Sequence, residues 1–213
     1  MSNDAAPGRE ISTGPILRVS RLRSPFAGPF DLDLEGGTCA AITGPSGSGK
    51  SLFLRMIADL DPNDGEVWLE GRERGSVPPP TWRRQVMYVA AESGWWADEV
   101  AVHFPEHRRD DVQALAARLA VAPALLSAPV LQLSTGEKQR LALVRVLAGS
   151  PRVLLLDEPT GPLDQDSVTR VEELLAERLR NGAAIVLVTH DSEQASRLGD
   201  RRYRMKAGRL EAA

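Results

Sequence analysis

The eight residues "GPSGSGKS", 44 to 51, constrain this chain more than any other stretch. They match G-x-x-x-x-G-K-[ST] in full, between a short apolar run, "TCAAIT", and a segment of helical spacing, "SLFLRMIADL". Strand, glycine-rich loop and helix, in that order, make a phosphate cradle. The glycines let the backbone wrap closely and turn its N–H groups inward, and the helix start adds partial positive charge. Gly44, Pro45, Ser46, Gly47, Ser48 and Gly49 form the cradle in this reading. Lys50 reaches the β- and γ-phosphates of a nucleoside triphosphate, and Ser51 ligates Mg²⁺.

The pattern around the loop predicts an α/β fold. "TCAAIT", "RVLLLDE" and "AAIVLVTH" are apolar throughout, as central strands covered on both faces are. Helical segments alternate with them: "SLFLRMIADL", "DVQALAARLAV", the run after "LSTGE", and "DQDSVTRVEELLAERLRNG", which ends at Asn181-Gly182. That alternation implies a mainly parallel core sheet with helices on both sides. "FDLDLEGG" and "EVWLEG" are more alternating and imply a separate antiparallel β layer. "VPPPTW" interrupts regular structure, and "RRYRMKAGRLE" reads as a terminal hairpin. Residues 1 to 14 read as a loose tail ahead of one domain over 15 to 213.

A metal-held triphosphate needs an acidic partner, and "VLLLDE" supplies it. Asp157, at a strand end, is placed to hold Mg²⁺, and Glu158 is then free to orient or deprotonate a nucleophilic water. The plainer alternative is a pair of carboxylates capping the next turn. His190 also ends a buried strand, where ligand crevices form in such sheets, and there faces the γ-phosphate; its alternative is a packed core histidine. A second helix start, Ser134-Thr135-Gly136, opens another apolar helix.

Charge and composition exclude several classes. The 213 residues carry a formal net charge of −3, against a general nucleic-acid binder. The pairs Arg83-Arg84, Arg108-Arg109 and Arg201-Arg202 read as solvated faces. The single cysteine, Cys39, lies in an apolar run and reads as a buried, inert thiol. No stretch approaches the roughly 20 apolar residues of a membrane span, and "MSNDAAPGRE" has no apolar leader core. Service to a membrane then goes through a partner.

Taken together, "GPSGSGKS", "LSTGEKQR", "VLLLDEPT", "GPLD" and "VLVTHD", in that order, resemble the ATP-binding subunit of an ABC transporter. The resemblance runs from about residue 15 to 210, and "LSTGE" separates this family from other P-loop proteins. It implies a P-loop NTPase with an inserted α-helical subdomain at about 92 to 145. It implies ATP and Mg²⁺ as ligands, and two subunits, identical or homologous, facing head-to-tail. The cradle of one and Ser134 and Gly136 of the other then close on one ATP. It also implies that Asp164 communicates across the dimer, that His190 contacts the γ-phosphate, and that a membrane permease docks the pair at the cytoplasmic face. "YVAAESGWWADEV" and "LSTGEKQRLALVRVL" look most like small stand-alone bacterial subunits of iron (metal) export.

Departures from the family pattern are few. Ala91 stands where the family has glutamine, and it can neither ligate nor hydrogen-bond. Thr135 replaces a glycine of the signature. For the aromatic that stacks on adenine, Arg23 is the first candidate by position and Phe26 the second. Trp95 and Trp96 either anchor the permease or fill the helical core. Two other functions stand beside transport: a non-transport ATPase, opposed by the single cassette without heptads, and a weakly catalytic ATP clamp, supported by Ala91.

Overall fold

The computed structural model describes residues 14–213; the tail expected over 1 to 14 lies, but for Gly14, outside them. Ten strands and six α-helices follow one another in the described residues. β1 (Leu17–Ser24) and β2 (Ala27–Leu34) form an antiparallel pair, and β3 (Cys39–Thr43) leads into the cradle and α1 (Lys50–Ile57). β4 (Asp64–Leu69), β5 (Arg72–Glu73), α2 (Pro79–Gln85) and β6 (Val86–Val89) come next. Then come α3 (Arg109–Arg118), α4 (Thr135–Ala148), β7 (Val153–Asp157), α5 (Gln165–Arg180), β8 (Ala184–Val188), α6 (Ser192–Leu198), β9 (Arg201–Lys206) and β10 (Arg209–Ala212).

Two sheets result. One is antiparallel, in the order β2-β1-β4-β5. The other runs β10-β9-β3-β8-β7-β6, parallel except for β10. The apolar strands owe their lack of alternation to two cores. Successive side chains point to opposite faces, so Val153 and Leu155 pack toward α1 and the antiparallel sheet, while Leu154 and Leu156 pack toward α3, α4 and α5. Helix α5 shows the matching stripe, with Ser167, Val171, Leu174 and Leu175 buried at helical spacing. Its end is where Asn181-Gly182 predicts it: Gly182 takes φ 84° and donates to the Leu179 carbonyl at 2.8 Å. The hairpin β9–β10 turns on Ala207 and Gly208, both at positive φ.

The proline run does more than interrupt. Pro79 and Pro80 begin α2, where a missing N–H costs nothing, and Trp82 of that helix is buried and donates its indole N–H to the Ile57 carbonyl at 3.0 Å. That bond closes the C-terminal end of the cradle helix. Between β6 and α4 the chain is helical in short pieces, with 3₁₀ turns at Val100–His103, Glu106–Arg108, Pro123–Ser127 and Val130–Gln132 around α3. Helix α4 runs to Ala148, and its last turn is buried with residues of the core sheet. Cys39 is fully buried, and burial beside Asp200 pushes its thiol up to about 12, as an inert structural cysteine requires. No helix among the described residues is long and apolar enough to cross a membrane.

Candidate functional site

Parallel strand order brings the singled-out residues to one edge. β3, β8 and β7 lie side by side, with Ile42 opposite Val188 and Val188 opposite Asp157. The cradle, Asp157-Glu158 and Thr189-His190 therefore leave the sheet at adjacent C-terminal ends, where such sheets bind ligands.

The cradle is a tight loop with an open helix end. Gly44, Gly47 and Gly49 all have positive φ, at 151°, 73° and 104°. A Cβ on Gly44 would collide with the Met205 carbonyl oxygen, and one on Gly49 would crowd Ala27 Cβ at 3.3 Å. Gly49 caps α1 and offers its first N–H groups no side-chain acceptor. Lys50 Nζ folds back to donate to the Gly44 and Pro45 carbonyls at 2.8 and 2.9 Å. The buried Ser48 hydroxyl has no partner among the described residues. N–H groups without a side-chain cap and a cation resting on its own loop are what an anion at this helix start would engage.

Asp157 is buried, and its Oδ2 accepts a hydrogen bond from Tyr88 at 3.0 Å. Burial, then the Asp157 charge and that hydrogen bond, push the Tyr88 phenol far up, so it stays a donor. Among the described residues no cluster of three or more His, Cys, Asp or Glu forms a metal cage. Ser51 and Asp157 are hard oxygen donors of the kind Mg²⁺ takes alongside phosphates and water, and among the described residues only the Oδ2 atom of the Asp157 carboxylate is hydrogen-bonded by a side chain. The pair fits a nucleotide-bound Mg²⁺.

Glu158 takes a left-handed φ of 47°, which costs a non-glycine residue about 1–2 kcal/mol. Its N–H donates to the Val188 carbonyl at 2.9 Å. Its Oε2 accepts from the His190 backbone at 3.2 Å and from His190 Nδ1 at 2.7 Å. The His190 ring, 76% exposed, thereby presents Nε2 outward. His190 is not a packed core residue, and Glu158 does not cap a turn. The side chain that caps the following helix is Asp164, which accepts from Ser167 N at 2.8 Å and from Ser167 Oγ at 3.2 Å. Those bonds hold the Asp164 carboxyl below its usual range.

The second helix start is closed where the first is open. Ser134 caps α4 in a capping box: its Oγ accepts from Glu137 N at 3.3 Å, while Ser134 N and Oγ donate to Glu137 Oε2 at 2.8 and 2.7 Å. Ser134, expected to close on a second subunit's ATP, here gives its hydroxyl proton to Glu137. The N–H groups of Thr135 and Gly136 are the donors left at this end. Thr135 sits in ordinary helical backbone. A Cβ on Gly136 would meet Pro162 O and Leu163 Cδ2 at 3.4 and 3.6 Å, ordinary contacts, so its own chain does not demand glycine there. The signature start and the "GPLD" turn thus touch within one chain, and Arg140 of α4 donates to Ser167 Oγ at 2.9 Å.

The base-stacking candidates separate. Arg23 lies across from Asp64 and pairs with it at 3.6 Å. Phe26 is 86% exposed, and the neighbouring Ala27 touches Gly49 and Gly208.

Ala91 is exposed beyond β6. The two tryptophans divide: Trp95 packs against the helical core, and Trp96 is 69% exposed. His103, absent from the sequence reading, organises both. Its ring lies 4.7 and 4.2 Å from theirs, Nδ1 donates to the Glu99 carbonyl at 3.0 Å, and Nε2 accepts from the Trp96 and Ala97 N–H groups. Arg145 stands 5.0 Å from each indole ring and donates to the Gly94 carbonyl. Beside them runs a groove of about 520 Å³ bounded by Leu60, Tyr88, Trp95, Trp96, Arg145 and Val146.

A P-loop cradle, a strand-end Asp-Glu pair, an outward His190 and a capped signature helix on one mixed α/β scaffold define a nucleotide-binding cassette. The chain belongs to the ABC transporter family, whose sequence model matches residues 28–161. It is similar to the rice protein STAR1, 37% identical over 91% of this chain and 61% of that protein. It is similar to the probable iron export ATP-binding protein FetA of Escherichia coli, 35% identical over 78% of each. It also matches the spermidine/putrescine import ATP-binding protein PotA of Methylococcus capsulatus, 35% identical over 85% of this chain and 50% of that one. The chain thus spans about half to three-fifths of two of these relatives. In fold it matches a solved ATP-binding subunit of an ABC transporter, with TM-score 0.84 and 23% identity over 92% of this chain and 88% of that one.

Proposed function

We propose that this chain is the ATP-binding and ATP-hydrolysing subunit of a transporter, working at the cytoplasmic face through a membrane permease. Two subunits, identical or homologous, close head-to-tail around ATP. The observation that carries this reading is the open start of α1: an uncapped helix end, with Lys50 resting on loop carbonyls. An incoming triphosphate would take Lys50 from those carbonyls onto its β- and γ-phosphates. Ser51 and Asp157 would hold Mg²⁺, which offsets phosphate charge when bound. Glu158 acts on the attacking water, and His190, oriented by Glu158, turns Nε2 to the γ-phosphate. Phe26 stacks on the base. The partner's Thr135 and Gly136 N–H groups complete the γ-phosphate pocket, with Asp164 fixing the turn behind them. Residues 92 to 145 form the helical part that meets the permease, with Trp96 as an anchor in its groove. The matched relatives are named for iron export and for polyamine import at similar identity, which is consistent with a cargo chosen outside this chain.

Ala91 is the sole support for a second reading, a slow ATP clamp, which the relatives named as transport ATP-binding proteins do not favour. Turnover separates the two. Glu158→Gln should keep ATP binding, lower kcat about 10²–10⁴-fold, and give an ATP-dependent dimer in light scattering. Wild-type turnover in that variant would remove Glu158 from the chemistry; a wild type as slow as the variant would favour the clamp.

A further inference from the structure

Tyr88 belongs to two places at once. Its hydroxyl donates to Asp157 Oδ2 at 3.0 Å, and Tyr88 is one of the residues that line the groove beside Trp95 and Trp96. The register explains the reach: Tyr88 lies opposite Leu155 on the neighbouring strand, and Asp157 is two residues further along on the same face. Behind it, Arg55 of the cradle helix makes a bidentate pair with Asp61 at 2.7 Å. The chain offers no such contact from Ala91, whose methyl group neither donates nor accepts.

We infer that Tyr88 is a positioning residue that aims the Asp157 carboxylate at the metal and links that carboxylate to the groove. One Asp157 oxygen is fixed by the phenol, which leaves the other free to turn toward the phosphate side. Partners that orient a ligating carboxylate contribute to metal affinity although they never touch the metal. Pressure on the groove wall moves the ring, and the ring carries the hydrogen bond. The inference rests on the assignment of Asp157 to Mg²⁺.

The test compares wild type, Tyr88→Phe and Asp157→Asn by calorimetry with ADP, which is not turned over, in Mg²⁺ and in EDTA. Tyr88→Phe should leave the metal-free affinity within about twofold and cut the gain given by Mg²⁺ by about tenfold, the lower end for such partners. Asp157→Asn should cut it at least as far. If Asp157→Asn leaves the gain intact, the metal assignment itself fails. If Asp157→Asn removes the gain and Tyr88→Phe does not, the positioning role alone is overturned. Tryptophan emission, read in the same titrations, should respond to Mg²⁺ in the wild-type ADP complex and lose that response in Tyr88→Phe. A wild-type emission that ignores Mg²⁺, or an equal change in both proteins, overturns the link to the groove.

Discussion

Helices α1 and α4 both begin on small residues, and both first turns lack intrahelical acceptors for their N–H groups. The fold treats them oppositely. At α1 the cap is Gly49 in left-handed backbone, with no side chain to accept a bond. At α4 the cap is Ser134, locked to Glu137 by three hydrogen bonds. The glycines differ in the same sense. Gly44 and Gly49 are required by positive φ and by neighbours a Cβ would strike, whereas Gly136 is required by neither. An end left open by its own chain is built to take a ligand unaided. An end closed by a capping box is stable alone and offers only what the box leaves over, the N–H groups of Thr135 and Gly136. That fits a division in which α1 binds nucleotide first and α4 adds to it from a second subunit.

The contrast breaks most readily at Lys50. Lys50→Ala should weaken ATP binding about 100-fold in calorimetry, the scale of a charge-assisted bond lost from the cradle. Its melting temperature should barely move, because Lys50 bonds only to its own loop. Unchanged affinity would show that the open end is not the nucleotide site. A smaller effect sharpens the account of the same end: Phe26→Ala should weaken ATP by about tenfold, within the range for base–aromatic stacking. Inorganic triphosphate should bind that variant as it binds wild type, and equal losses for both ligands would take Phe26 off the base.

The mirror image is expected at α4. Ser134→Ala should destabilise the folded monomer by about 1 kcal/mol in urea unfolding, as loss of a serine cap does, with ATP affinity of the monomer unaltered. This deficit should depend on pH. Bonds from the Ser134 hydroxyl and backbone N–H hold Glu137 below its ordinary range. A carboxyl depressed in the folded state stabilises above its unfolded pKa of about 4.3, and that part is lost as pH falls through the lower folded value. The gap between wild type and Glu137→Gln should therefore be full at neutral pH and close on acidification below about pH 4. A gap independent of pH would mean that the carboxylate is not what closes this helix.

The cradle, the strands that end in Asp157-Glu158 and in His190, the α5 stop and the terminal hairpin were all legible in the chain, because each depends on residues within one turn or one strand. Spacing and residue type fix backbone reach, glycine freedom and which side chains can be buried. Where those strand ends meet was another matter. The order β3-β8-β7-β6 sets Tyr88 beside Asp157, 69 positions apart, and Glu158 beside His190. In the other sheet the β1–β4 pairing turned Arg23 to Asp64, and only packing gave His103 and Arg145 to the paired tryptophans. Local pattern settles how a segment folds and which face it buries; the partner of a side chain is chosen by whichever strand or helix lies next to it, and nothing nearby in the sequence records that neighbour.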